Sequence, residues 1–307
     1  MRRKTKRKLI AYGLVLVALF ICIEIYLRVY WGFCDNVLMM YSPRYEYIEQ
    51  PNQKRFRFRD HIYYNKYSMR SPEVDSSALI ILGFGDSIIN GGVMVDQDSL
   101  ATMLLSKELT DKLCTKVQVL NIGAGSWGPD NGFAYLKEKG DFNAKMIFLL
   151  VSSHDAHDNM DFTPVIDKVN RYESKQYKLA TVELLDKYII PRIFEGKEKG
   201  EISIIKKGKD FNSGFLNFYN YSKQRNIPFF IYLHPDKNEL ADQTYSSQGQ
   251  MIIDFCKQYD IPCIQSLHSI QPGDYRGVIH MNHSGQRHIA EDLFPEILSM
   301  INQKDSL

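Results

Sequence analysis

Two kinds of apolar patterning divide the chain. The first is one nearly unbroken run, LIAYGLVLVALFICIEIYL at residues 9–27, interrupted only by Glu24. The second begins near residue 61, where apolar runs of strand length alternate with stretches of helical periodicity. The strand-length runs fall at 78–82, 117–120, 146–151, 228–233 and 262–264. They are continuous rather than alternating, which predicts parallel strands covered on both faces. Helical patterns lie at 99–113, 131–139, 248–259 and 285–303, with Pro295 expected to kink or restart the last. Strand and helix in alternation predict an α/β fold: a three-layer α/β/α sandwich on a mainly parallel five-stranded sheet, preceded by one transmembrane helix.

Nineteen residues rise roughly 28 Å as a helix, about the thickness of a bilayer core. Six of the first eight residues are basic (Arg2, Arg3, Lys4, Lys6, Arg7, Lys8), which predicts a cytoplasmic tail at 1–8 and everything after Arg28 outside. Tyr26, Tyr30 and Trp31 suit an aromatic belt, and Glu24 lies near enough to the end to reach the interface. A cleaved signal peptide needs a small-residue site that ICIEIYLRVYWGF lacks. A lipoprotein signal wants small residues before its cysteine, whereas Cys22 follows Phe20 and Ile21. A buried core helix fits poorly beside the basic block. The expectation is an uncleaved signal anchor, single-pass, with the folded body periplasmic or extracellular.

Composition narrows the class. The 307 residues are 44% hydrophobic and 24% charged, enough for a sizeable core, and this excludes a disordered chain or a disulfide scaffold. The formal charge of +2 hides an asymmetry: without the basic cluster, 32 basic residues face 36 acidic ones. A mildly acidic body gives no electrostatic case for nucleic acid. Five cysteines are too few for a disulfide framework. Cys256 and Cys263 are spaced to permit one bridge, and Cys34 and Cys114 read as free or buried thiols.

Residues 28–60 read as a juxtamembrane stalk that packs on a body at 61–307. Residues 160–212 form an insertion longer than one crossover helix requires. Its TVELLDKYIIPRIF stretch looks helical and its EGKEKGEISIIKKGKD stretch is lysine-rich. Such insertions serve as lids or substrate loops, or are solvated excursions.

In open α/β sheets, sites form at the carboxyl ends of strands. Here those ends carry Gly83-Phe84-Gly85-Asp86-Ser87, Asn121-Ile122-Gly123-Ala124-Gly125-Ser126, Ser152-Ser153-His154-Asp155-Ala156-His157-Asp158, and, before the last helix, Gly277-Val278-Ile279-His280-Met281-Asn282-His283-Ser284-Gly285. The first turn has neither the G-x-G-x-x-G spacing nor a P-loop Lys, and Ile89 excludes the G-x-S-x-G elbow. Ser87 after Gly-Asp reads as a nucleophile at a helix start, where first-turn N–H groups stabilise an oxyanion. A simple helix cap is the plainer alternative.

In order and placement these blocks resemble the SGNH/GDSL hydrolase family, of flavodoxin-like fold. The resemblance covers about residues 61–305, including Asn65-Lys66-Tyr67-Ser68-Met69-Arg70, and is strongest to the membrane-anchored branch associated with bacterial surface polysaccharides. It implies Ser87 as nucleophile, His280 as base, and an oxyanion hole from Ser87, Ser126 and His154. Three positions depart from the family pattern. Ser126 stands for a glycine, and His154 for an asparagine whose hydrogen bond a neutral imidazole can donate. Gly277 stands for the orienting aspartate, a role left to Asp274 or a main-chain carbonyl. The implied activity is hydrolysis or transfer of acyl, chiefly acetyl, esters on cell-envelope carbohydrate, without a cofactor. The partners implied are an ester substrate and the lipid bilayer. A catalytically degenerate carbohydrate-binding or assembly protein is the alternative. A rival use of His154, Asp155, His157 and Asp158 with His280, His283 and His288 is a metal site, but no metal is expected. His234 ends the fourth strand and either lines the same pocket or is structural.

Overall fold

A computed structural model of the chain describes residues 3–194, 204, 206 and 208–304; most of the lysine-rich stretch lies outside the described residues. Two short antiparallel hairpins come first after the amino-terminal helix: β1 (Met39–Ser42) with β2 (Glu46–Glu49), and β3 (Gln53–Arg57) with β4 (Asp60–Tyr64). The central sheet follows, built from β5 (Leu79–Gly85), β6 (Val117–Gly123), β7 (Met146–Ser152), β8 (Phe229–His234) and β9 (Cys263–Gln265). Its order is β6-β5-β7-β8-β9 and every pairing is parallel. The chain therefore reverses its direction of winding between β5 and β7, and the carboxyl ends flanking such a switch point open a crevice.

The continuous apolar strands are explained by two cores. Ile80, Leu82 and Phe84 of β5, Ile147, Leu149 and Val151 of β7, and Ile231 and Leu233 of β8 point to one face. There they meet Tyr135 and Leu136, Phe215 and Phe218, and Ile252 and Phe255, from helices Pro129–Lys139, Gly214–Arg225 and Ser247–Tyr259. Ile81, Met146, Phe148, Leu150, Phe230 and Tyr232 point to the other, against helices Ala101–Leu113 and His283–Lys304. Strand side chains alternate between faces, so a strand apolar at every position needs a layer on each side. The three-layer α/β/α arrangement satisfies that need.

Two local expectations differ. The last helix runs through Pro295 unbroken, because Pro295 and Glu291, whose carbonyl loses its partner, both face solvent. Residues 28–60, expected to pack on the body without regular structure, instead carry short hairpin strands while making that contact. Tyr47 donates to the Gly125 carbonyl at 2.9 Å, Trp127 donates its indole N–H to the Tyr47 carbonyl, and Asn131 donates to Glu46 at 2.7 Å. All five cysteines are free thiols, Cys256 and Cys263 included.

The amino-terminal helix spans Arg3–Trp31, long and apolar enough to cross a bilayer, with its apolar side chains outward. Glu24 has a tertiary partner that its position alone does not reveal: its carboxylate accepts the Ala180 and Thr181 N–H groups at 2.6 and 3.0 Å and pairs with Arg28.

Candidate active site

Ser87 opens a four-residue helix, Ser87–Asn90, directly behind β5. Asp86 caps it, accepting the Ile88 N–H at 2.8 Å, and Gly91 at φ 76° ends it in the left-handed region. So short a helix cannot satisfy its own carbonyls. Side chains do so instead. Gln286 donates to the Ile88 carbonyl at 2.8 Å, Asn121 to that of Ile89 at 2.5 Å, and Arg70 to that of Asn90 at 2.5 Å. The Asn90 side chain in turn donates to Glu49 and to the Gly123 carbonyl and accepts from Tyr64. The nucleophile candidate is thus held on a turn fixed at every residue. Its own N–H, at the first helical position, has no intrahelical acceptor.

His280 reaches the same point from a distant segment. It lies in β11 (His280–Met281), paired antiparallel with β10 (Tyr275–Arg276), and Gly277 turns this hairpin at φ 83°. That left-handed backbone favours glycine at this position. The hairpin is pinned to the segment after β8: Lys237 donates its N–H to the Val278 carbonyl at 2.9 Å and Tyr275 its hydroxyl to that of Pro235 at 2.6 Å. His234 Nε2 lies 3.1 Å from the Ile279 carbonyl. A carbonyl only accepts, so Nε2 carries the proton, and burial holds this ring's pKa down to about 4, hence neutral. The result is a His280 Nε2 to Ser87 Oγ distance of 2.8 Å.

Asp274 is placed elsewhere. Its carboxylate takes the His288 Nδ1 at 2.6 Å and the Gln271 N–H at 2.8 Å, which ties it to the last helix. The orienting role expected of Asp274 has no support in this placement, because the loop 271–274 turns the carboxylate toward His288.

Ser126 sits at φ 59°, so this position has the backbone of a glycine although it carries a side chain. Two tyrosines hold the preceding residue: Tyr47 and Tyr172 both donate to the Gly125 carbonyl, at 2.9 and 3.0 Å. His154 stands at the end of β7 among carboxylates. Its Nε2 lies 3.5 Å from Asp86 and 3.7 Å from Asp158, while its Nδ1 contacts Ser152 Oγ at 3.0 Å. Desolvation opposes a charge on this ring, but Asp155, Asp86 and Asp158 outweigh it and raise the pKa to about 10. These carboxylates favour a protonated ring, whereas the sequence reading has a neutral imidazole donating the hydrogen bond. Burial pushes the Asp158 carboxyl up to about 6 against the pull of His154, and pushes Asp155 up as well.

The remaining histidines do not converge. His157 Nδ1 contacts the Asp210 carbonyl, His283 lies beside Asp60 and accepts the Asp96 N–H, and His288 pairs with Asp274. Among the described residues, Asp86, His154 and Asp155 are the one group of three whose ligand-type atoms all lie within 4.8 Å of one another. Sequence reasoning does not reach the roles of Gln286, Asn121 and Asn90, which shape the site through backbone carbonyls, or of Glu49, which holds Asn90, and so they leave no chemical motif. In the sequence Asn121 is no more than a strand end.

No family model matches the chain, and no curated protein matches it. Solved structures do, lipolytic and esterase proteins among them. A two-domain esterase active on acetylated mannans, co-crystallised with mannopentaose, is 12% identical over 75% of this chain and 50% of its own, with a TM-score of 0.44. A lipase/acylhydrolase from Enterococcus faecalis is 12% identical over 71% and 94%, TM-score 0.42. A member of the lipolytic G-D-S-L family from Veillonella parvula is 12% identical over 70% and 96%, TM-score 0.39.

Proposed function

We propose that this chain is a membrane-anchored serine esterase or acyltransferase acting on acyl esters, chiefly acetyl esters of cell-envelope carbohydrate. The observation that carries the reading is the 2.8 Å contact between Ser87 Oγ and His280 Nε2, made across 193 residues of sequence at a sheet switch point. His280 Nε2 takes the Ser87 proton as Oγ attacks the ester carbonyl. The tetrahedral oxyanion is received by the N–H groups of Ser87 and Ser126. His154 adds a positive charge beside it: at 3.5 and 3.7 Å from carboxylates, its Nε2–H is held loosely enough to turn toward an oxyanion. His280 then returns the proton to the leaving alcohol. Water, or a sugar hydroxyl in the transferase, releases the acyl group from Ser87 by the same steps in reverse.

The carbohydrate substrate and the outward-facing location rest on the sequence resemblance and the basic amino terminus. The test is hydrolysis of p-nitrophenyl acetate by the detergent-solubilised full chain, then of acetylated polysaccharide. Ser87→Ala and His280→Gln are each expected to lose turnover by about 10⁶, the scale on which a serine protease loses rate without its nucleophile or base. Folded variants that keep wild-type rates contradict the reading.

A further inference from the structure

The helical stretch 180–194 is built the wrong way round for a surface that meets water. It runs as α-helix over Ala180–Leu184, widens to a π-turn over Leu185–Ile189, and returns to α-helix over Ile190–Phe194. The wide turn makes room for Pro191, whose ring would crowd the carbonyl four residues back. Two charged residues, Glu183 and Lys187, go toward the protein, while Asp186 is exposed beside the apolar positions and accepts the Tyr177 hydroxyl. Glu183 is wholly buried, 2.6 Å from Arg57 and accepting the Cys34 N–H, and Lys187 is buried against Glu173. Apolar side chains go outward: Leu179, Val182, Leu185, Ile190 and Ile193 are 41–68% exposed. The five-residue step from 185 to 190 is one turn of π geometry, so these residues form a single stripe. A helix facing water carries the opposite pattern.

Where this stripe starts identifies its partner. Glu24, inside the apolar run of the amino-terminal helix, receives the N–H groups of Ala180 and Thr181 and the Thr181 hydroxyl. The stretch therefore begins about 4.5 Å below the level of Leu27, the end of that run. Exposed Tyr26, Val29 and Tyr30 follow within about 9 Å of Glu24 along the amino-terminal helix. Exposed Lys178 and Arg192 flank the stripe, where anionic headgroups would meet them. We infer that 179–193 lies in the interfacial layer of the bilayer, its apolar stripe among the acyl chains, as a second membrane contact beside the span. This rests on the reading of residues 9–27 as a membrane span. Because Glu183 is locked to Arg57 in β3, the contact would fix the catalytic body's orientation on the membrane rather than let it swing on a single helix.

The test uses the full chain in phosphatidylethanolamine–phosphatidylglycerol vesicles doped with a diazirine-tailed phospholipid, irradiated and mapped by peptide mass spectrometry. Adducts are expected at 179–193 as well as within 9–27. Adducts confined to 9–27 overturn this inference and leave the anchor standing, whereas absence of label at both overturns the anchor itself. In a parallel sample carrying a photoreactive residue at Val182 or Ile193, chain-to-chain cross-links there with no lipid adduct at 179–193 would assign the stripe to a second copy and also overturn it. Ile193→Asp is expected to lower adduct yield at 190–193 several-fold with label in the span unchanged; equal yields contradict the inference.

Discussion

Glu49 is a carboxylic acid buried beneath the nucleophile turn, accepting from Tyr64 and Asn90 through one oxygen. Burial pushes its pKa up to about 7, only partly offset by those hydrogen bonds and by Arg70. The folded protein then holds a proton that the unfolded chain, near 4.5, releases first. The contribution of Glu49 to stability is therefore full below pH 4.5 and is lost as pH rises through about 7, roughly 3 kcal/mol in all. Glu49→Gln should remove that slope, so denaturant unfolding at pH 5 and 8 should show wild type losing stability relative to the variant. His154 also holds its proton above the ordinary range. Its proton is held up to pH about 10, so an alkaline limb in kcat/KM near that pH is expected as the imidazolium discharges. His154→Asn should keep turnover within about tenfold yet lose the limb; an unchanged profile would mean that His154 takes no part. Asp274 separates two roles by size. If it serves the last helix, Asp274→Asn should cost far less than the ~10⁴ that follows loss of an orienting acid in serine proteases.

At the scale of elements, the nucleophile turn and the last helix work as one piece. Gln286 accepts the Ala101 N–H at 2.9 Å and donates to the Ile88 carbonyl at 2.8 Å, with its side chain wholly buried. Gln286→Leu leaves two buried groups unpaired and should cost about 2–3 kcal/mol in denaturant unfolding, together with a fall in kcat larger than any change in KM. Hydrophobic periodicity locates the five strands to within three residues at each end, since parallel strands covered on both faces announce themselves by unbroken apolar runs. It misses helix Gly214–Arg225, where asparagines interrupt an aromatic stripe that packs as Phe215 and Phe218. It also leaves 28–60 featureless, because turns of two or three residues and strands of four or five carry too few positions for a period to emerge. Ser87 and His280 are legible from the blocks around them. The turn at Gly277 is not, because a glycine in place of an acid records a backbone angle and no chemistry.

Taken whole, the molecule hangs its site from a chain of contacts that begins at the amino-terminal helix. Glu24 holds the insertion, Arg57 fastens the insertion to β3, and the two hairpins reach Asn90 and Gly125 beside the nucleophile. In the sequence Glu24 is a charge near an interface; its partner lies 156 residues away, which no local pattern reports. The central claim concerns the two groups at the end of that chain. Treating the solubilised full-length protein with a fluorophosphonate probe and locating the adduct by peptide mass spectrometry tests it most directly. The expected result is one adduct on Ser87, absent in Ser87→Ala and strongly slowed in His280→Gln. A folded protein that forms no adduct, or forms it on another serine, contradicts the assignment of Ser87 and His280 as nucleophile and base.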